Sequence, residues 1–320
     1  MLVSESSTFI KNQIRWDEGE ISLKKALVLG GTRFFGVHLV EALLEQGIDV
    51  TVATRGNTIP QFSENVGTIR CDRTKGNNFK KAFSNTEWDI VFDQICYKPD
   101  DALLAIDTFS GKTKKYVFTS TKSVYDHLDQ KNACIEADFD PYTYNFAVGN
   151  SENLPYGEGK RQAEAVFFQK APFEVSAARV PIVMGPDDYT GRLDFHIKKV
   201  MDGEEIFFPD VEAEMDYILS KEAGRFIAWA GVNGVIGPIN GSSDGTVSMN
   251  EIISLIEKAT GKKAVLAKKA TKENHSPYGI PFSWIMSNER AKKEGFLFSD
   301  VHQWLPELIK QSADRHRTRV

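Results

Sequence analysis

At 320 residues the chain is long enough for one large or two closely joined domains with a substantial core. Hydrophobic residues at 41% and charged residues at 26% are ordinary for a soluble globular protein, and a net charge of −5 speaks against a dedicated nucleic-acid or acidic-membrane surface. No apolar run approaches the ~20 residues that span a bilayer. Cys71, Cys96 and Cys134 form no C-x-x-C pair and the six histidines show no metal-ligand spacing. No disulfide framework and no metal site are expected, and a reducing cytoplasm is the expected setting.

Residues 1–23 read as a polar extension with isolated Phe9, Ile10 and Trp16, lacking the basic and apolar regions of a signal peptide. The apolar run Ala26–Leu29 then stops at Gly30-Gly31, and Phe34–Gln46 carries Val37, Leu39, Val40, Leu43 and Leu44 at helical spacing before Gly47. This is a buried strand, a tight turn and a glycine-terminated helix. Such a turn aims free N–H groups and the positive end of a helix dipole at one point, which suits a pyrophosphate. A glycine-rich turn alone fits an ordinary strand-turn-helix equally well.

Further strands are predicted at Ile48–Ala53, Val66–Arg70, Trp88–Phe92 and Lys115–Thr119, with helices at Phe79–Phe83 and Asp100–Phe109. That alternation implies right-handed βαβ units and a doubly wound parallel α/β sheet of Rossmann type. Beyond Pro181 a smaller α/β lobe is expected. Its helices are predicted at Arg192–Met201, Ser220–Ala230 (capped by Ser220), Met249–Ala259 (opened by the capping box Ser248-x-x-Glu251) and Val301–Gln311, with short strands at Ile206–Pro209 and Ala264–Ala267. The division is 1–23 extension, 24–180 dinucleotide-binding domain and 181–320 substrate lobe, the boundary interleaved.

Two more stretches carry chemistry. Thr119-Ser120-Thr121-Lys122-Ser123 crowds hydroxyls at the C-terminal end of a strand, where open α/β sheets place their ligands. In Tyr156-Gly157-Glu158-Gly159-Lys160, a helix would put Tyr156 and Lys160 on one face. An ammonium favours the phenolate. Moving a phenol from about 10 to about 7 takes roughly 4 kcal/mol.

Together, in this order, these stretches resemble the extended, atypical branch of the short-chain dehydrogenase/reductase superfamily, the NAD(P)-dependent epimerase/dehydratase family. The resemblance covers about residues 24 to 300. It implies that Thr121 orients a substrate oxygen, Tyr156 is the general acid/base, and Lys160 holds the nicotinamide ribose and tunes the tyrosine. It also implies cofactor contacts from Gly30, Gly31, Thr32, Arg33, Phe35, Gly36, Arg55, Asp72, Arg73, Thr119 and Pro181. The implied activity is hydride transfer at a hydroxyl or carbonyl carbon of a sugar-like or small carbonyl substrate, by an oxidoreductase or epimerase, with a homodimer left open.

The departures shape the expectations further. Arg33 replaces the family's middle glycine, and the second strand ends in Thr54-Arg55 with no acid to bind a ribose 2′-hydroxyl, so NADP is favoured over NAD. Asp93-Gln94 replaces a small apolar pair, implying a polar nicotinamide side. Ile182 and Met215 replace an asparagine and a diphosphate-binding arginine common in nucleotide-sugar enzymes, and Lys122-Ser123 replaces the dehydratases' acidic pair. Asp187, Asp188, Tyr189 and Arg192, which follow the Gly185-Pro186 turn, are the pocket candidates for substrate; Arg192 serves equally well as a partner at a helix start. G-G-T-R-F-x-G with T-R-G also resembles the branch of chloroplast stem-loop-binding proteins. RNA binding is therefore an alternative, disfavoured by the net charge, and a non-catalytic NADP-binding sensor is another. The basic tail Arg315–Arg319 reads as a solvated end.

Overall fold

The computed structural model describes residues 25–58, 62–63, 65–128, 132–149 and 151–318; the predicted extension at 1–23 and Arg319 lie outside them. The first half alternates strands and helices: β1 (Lys25–Leu29), α1 (Phe35–Leu44), β2 (Asp49–Thr54), β3 (Gly67–Arg70), α2 (Gly76–Ala82), β4 (Trp88–Asp93), α3 (Pro99–Phe109) and β5 (Thr113–Thr121). Then come α4 (Tyr156–Lys170), β6 (Glu174–Val180), β7 (Ile182–Met184), α5 (Arg192–Asp202), β8 (Glu205–Ile206), β9 (Glu214–Met215) and β10 (Tyr217–Leu219). The chain continues through α6 (Ser220–Val232), β11 (Gly237–Asn240), β12 (Val247–Ser248), α7 (Met249–Thr260), β13 (Val265–Leu266), α8 (Glu289–Lys293) and α9 (Val301–Arg317).

Seven strands pair in parallel in the order β11-β6-β5-β4-β1-β2-β3. Side chains alternate faces along a strand. In β1, Ala26 and Val28 enter the core under α1 and α6, whereas Leu27 and Leu29 enter the opposite core with Phe79, Phe109 and Phe167 of α2, α3 and α4. Both faces are buried, so the strands read as continuous apolar runs. α6 lies so close to α1 that a Cβ at Gly224 would come within 2.5 Å of the Leu39 nitrogen. Because α6 and β11 come from beyond residue 181, the two lobes interleave in the same sheet and its helical layer.

Pro181 has no N–H to continue the ladder, and the strand breaks there. β6 ends at Val180, and β7 leaves the large sheet to pair with β10. The second lobe closes over Ile197, Ile252, Ile256, Leu305 and Ile309 from α5, α7 and α9.

Two expectations are corrected. Ser220 does not cap α6: Leu219 occupies the cap, and the Ser220 hydroxyl donates to Asp187 at 2.7 Å. The strand expected over Ile206–Pro209 is only Glu205–Ile206, and Phe207 makes a single bridge to His275. The basic tail is exposed at Arg315 and Arg317, as expected, and through Arg317 it forms the last turn of α9. Arg315 donates to the Pro186 carbonyl at 2.6 Å and Arg317 to the Ala259 carbonyl at 2.7 Å, and these cations also suit the negative end of the helix dipole.

Candidate active site at the strand-order reversal

The strand order reverses between β1 and β4, so their connections leave in opposite directions and open a crevice at their C-terminal ends. Gly30 and Gly31, with φ of +95° and +79°, turn the chain there in a conformation that a side chain would strain. A Cβ on Gly36 would sit 2.5 Å from Gln94 Oε1 and 2.8 Å from Gly31 Cα, so the turn folds flat against the end of β4. No side chain caps α1. Its N-cap, Phe34, has φ +52°, the single positive value outside glycine among the described residues. Strain of this kind costs of order 1–3 kcal/mol and gathers at ligand clamps. Gln94 Nε2 and Thr119 Oγ1, near the ends of β4 and β5, are buried without a hydrogen-bond partner. A glycine cradle, an uncapped helix start and an idle amide donor fit a phosphate-bearing dinucleotide.

The other expected cofactor contacts are placed as follows. Arg33 is exposed, its Nε donating to Thr58 Oγ1 at 2.9 Å. Thr32 lies beside it in the turn, and the Phe35 ring centroid is 5.5 Å from that of Phe34. Arg55 is exposed at the end of β2 with no acid beside it in sequence. Asp72 accepts from the backbone and hydroxyl of Thr74 at 3.0 and 2.8 Å, which holds its carboxyl below the usual range. Pro181 is buried at the break between β6 and β7.

Arg73 and Asp93 differ from expectation. The Arg73 guanidinium is buried, donating at 2.9 and 2.5 Å to Asp93, which also accepts from the Tyr116 hydroxyl at 2.5 Å. The Asp93 carboxylate thus lies in the core and does not make the nicotinamide side polar. Two charges taken out of water need each other. Gln94, by contrast, does lie against the glycine turn.

Tyr156 begins α4 and is 53% exposed. One turn later Lys160 is 2% exposed, and its ammonium donates to the carbonyls of Thr119 at 2.8 Å and Cys96 at 2.7 Å. An ammonium has three N–H groups; the remaining one is not taken by these carbonyls. The same nitrogen lies 4.8 Å from the Tyr97 ring centroid and 5.9 Å from that of Tyr156. Gly159 permits this fit, since a Cβ there would come 2.7 Å from the Tyr97 carbonyl. Thr121 ends β5, and its hydroxyl oxygen accepts the Ser123 N–H at 3.2 Å, leaving its own proton to donate outward.

Among the substrate candidates, Asp187 bridges lobes, accepting from Ser220 and pairing with His38 of α1 at 3.1 Å. Although burial raises its pKa, those two hydrogen bonds hold the carboxyl below the usual range. Asp188 accepts from the backbone and hydroxyl of Thr190 at 2.8 and 2.6 Å. Arg192 is half-buried at the start of α5.

Sequence reasoning missed Tyr97, beside Lys160; its signal was an aromatic shortly after the end of a parallel strand, past Gln94, Ile95 and Cys96. Burial first, then the neighbouring hydroxyls of Tyr156 and Tyr189, push Tyr97 up to about 12. It also missed that Lys122, next to Thr121, is buried in an ion pair with Asp216 at 2.6 Å, with the Trp284 carbonyl accepting a second bond at 2.9 Å.

Comparison with known proteins agrees with this fold. Residues 26–109 match the model of the NAD dependent epimerase/dehydratase family. The chain is 26% identical over 151 residues to the chloroplast stem-loop binding protein of 41 kDa b of Arabidopsis thaliana, covering 43% of this chain and 40% of that protein. It is 29% identical over 96 residues to 2′-dehydrokanamycin reductase of Streptomyces kanamyceticus, covering 30% and 27%. The matched segments thus span less than half the length of these curated relatives. Among solved structures, UDP-glucose 4-epimerase of Thermus thermophilus in complex with NAD superposes with a TM-score of 0.67 at 19% identity, over 92% of this chain and 100% of that one. The dTDP-glucose 4,6-dehydratase of Bacillus anthracis, with NAD, gives 0.71 at 16% identity over 92% and 98%. The family match thus falls on the glycine-turn segment, residues 26–109, and these solved structures, at 19% and 16% identity, share the fold over 92% of the chain.

Proposed function

We propose that the chain is an NAD(P)-dependent enzyme of epimerase/dehydratase type, acting at a hydroxyl- or carbonyl-bearing carbon of a sugar-like substrate. One observation carries the reading: the Lys160 ammonium, locked on two carbonyls, stands one helical turn from an exposed Tyr156 at the end of the Thr121 strand. A bound nicotinamide supplies the hydride acceptor or donor. Tyr156 moves the proton of the substrate oxygen. Thr121 donates its free proton to that oxygen and orients it. Lys160 keeps its third N–H for the ribose or the phenol and favours the phenolate. Gly30, Gly31, Thr32, Arg33, Phe35 and Gly36 would hold the pyrophosphate side, with Arg33 and Arg55 toward a 2′-phosphate. A structurally similar UDP-glucose 4-epimerase was solved with UDP-glucose and MoeE5 with UDP-glucose and NAD, and one curated relative is by name a reductase, which supports a sugar ring as the substrate class. Met215 is buried, so it offers nothing to a diphosphate.

The test is a screen of sugars, sugar nucleotides and small ketones by absorbance of the reduced cofactor, followed by variants. Tyr156→Phe should keep cofactor affinity and lose roughly 10²- to 10⁴-fold in turnover. Lys160→Ala should lose both. Full activity of Tyr156→Phe on a confirmed substrate refutes the assignment.

RNA binding is a second reading, favoured by one feature. Residues 258–272 hold six lysines and no acid, all six exposed, in a chain with net charge −5, and a relative is named for stem-loop binding.

A further inference from the structure

The loop Gly185–Gly191, between β7 and α5, reaches from the second lobe to the glycine turn of the first. Its base is tied down where Asp187 accepts from Ser220 and pairs with His38, a residue one turn into α1. A Cβ at Gly185 would come within 2.6 Å of Asp187 Oδ1, so the base is packed tightly. At its tip stands Tyr189, 68% exposed and yet placed: its ring meets Phe34 edge-on at 6.1 Å and 82°, and the Arg33 guanidinium lies 5.7 Å from its centroid. Phe34 and Arg33 are the strained N-cap and the departing residue of the turn that would hold a pyrophosphate. Tyr97, pushed up to about 12 chiefly by burial and then by Tyr156, is raised further by Tyr189. A large aromatic left two-thirds in water is held at its edge over a phosphate cradle. Exposed aromatics fixed at one edge pack well on a ribose or a base.

We infer that Tyr189 is a dinucleotide-binding residue supplied by the second lobe, closing the crevice from outside over the Gly30–Gly36 turn. This rests on the dinucleotide reading of that turn. The bound dinucleotide then fixes the loop Gly185–Gly191, and with it Gly191 (φ +66°) and Arg192, which opens α5. Cofactor bound first therefore sets the wall of the substrate lobe second.

Titration of the whole chain with NADPH and NADH, read by energy transfer from its five tryptophans, tests this without any substrate. Tyr189→Ala should bind about 10-fold more weakly than wild type, mostly through faster release in stopped flow, while Tyr189→Phe stays close to wild type. Amides of 185–191 should exchange hydrogen more slowly once the dinucleotide is bound. Because Tyr189 is exposed, an unchanged melting temperature separates lost contact from lost fold. Wild-type affinity and release rate in Tyr189→Ala, or unchanged exchange in the loop, overturns the inference while leaving the dinucleotide site standing. Failure of the wild type to bind either nucleotide overturns both.

Discussion

The fully buried pair Arg179–Glu164 offers a measurement whose size follows from the contacts. Arg179 donates to Glu164 at 2.6 and 3.1 Å, to the Tyr125 hydroxyl at 2.7 Å, and to the carbonyls of Glu136 and Phe139 at 3.0 Å each. Both charged side chains have zero exposure. Burial alone would favour neutral arginine, but the Glu164 carboxylate and the Tyr125 hydroxyl hold the guanidinium charged and raise its pKa. Glu164→Gln removes the one countercharge and leaves the guanidinium buried among neutral acceptors. Breaking such a pair from one side costs about 3–5 kcal/mol, against a total stability of ~5–15 kcal/mol. Arg179→Met should cost a similar amount, since it strands the carboxylate and up to three further acceptors. The double variant should cost about 2 kcal/mol or more less than the sum of the singles, because neither charge is then left alone. Urea unfolding followed by tryptophan fluorescence gives all four stabilities. Additivity within about 0.5 kcal/mol would show that the pair does not act as a pair and would refute the reasoning.

Three other outcomes are expected. NADP should bind more tightly than NAD, and Arg55→Asp should move the preference toward NAD; calorimetry showing equal affinities in the wild type would sink the assignment of Arg33 and Arg55. His196, stacked on Tyr278 and Phe208 and bonded to the Arg192 carbonyl and Ser276 at 2.7 Å each, is pushed down from 6.5 to about 4 by burial. The folded state thus binds fewer protons than the unfolded one, so this contribution is complete above pH 6.5 and is lost as pH falls toward 4, about 3 kcal/mol in all; His196→Gln should flatten that part of a stability-against-pH curve, and an unchanged curve would count against it. RNA affinity should be weak and salt-sensitive, residing in Lys258–Lys272; a gel shift with sub-micromolar stem-loop affinity at physiological salt would promote the second reading.

The large sheet was legible because its signal is local and repeated: apolar runs of strand length alternating with helical spacing. The glycine turn was legible because glycine is the residue that tolerates those torsions. Asp93 was not. A strand alternates faces, but whether a carboxylate at its end turns outward or finds Arg73, twenty positions earlier, depends on a partner that no periodicity reveals. Ser220 failed for a related reason: its hydroxyl satisfies Asp187, 33 residues back, in place of its own helix. Strands of two or three residues such as β9, β10 and β12 carry no period at all and exist through their remote partners. The same holds for Tyr189 and Phe34, whose meeting requires the second lobe to fold back over the first.

The contribution of α6 and β11 to the first lobe has a consequence for how the molecule is made. Until residue 240 has left the ribosome, the Ser176–Arg179 edge of β6 lacks β11, and the side of α1 at His38 and Leu39, against which Gly224 of α6 packs, is uncovered. At ordinary synthesis rates that interval after β6 lasts about 3–12 s. During it the nascent chain presents an unpaired strand edge and an open greasy face, the two features that chaperones recognise and that aggregation uses. A fragment ending near residue 180 should for this reason be insoluble by itself, and recover when residues 181–318 are supplied as a second chain.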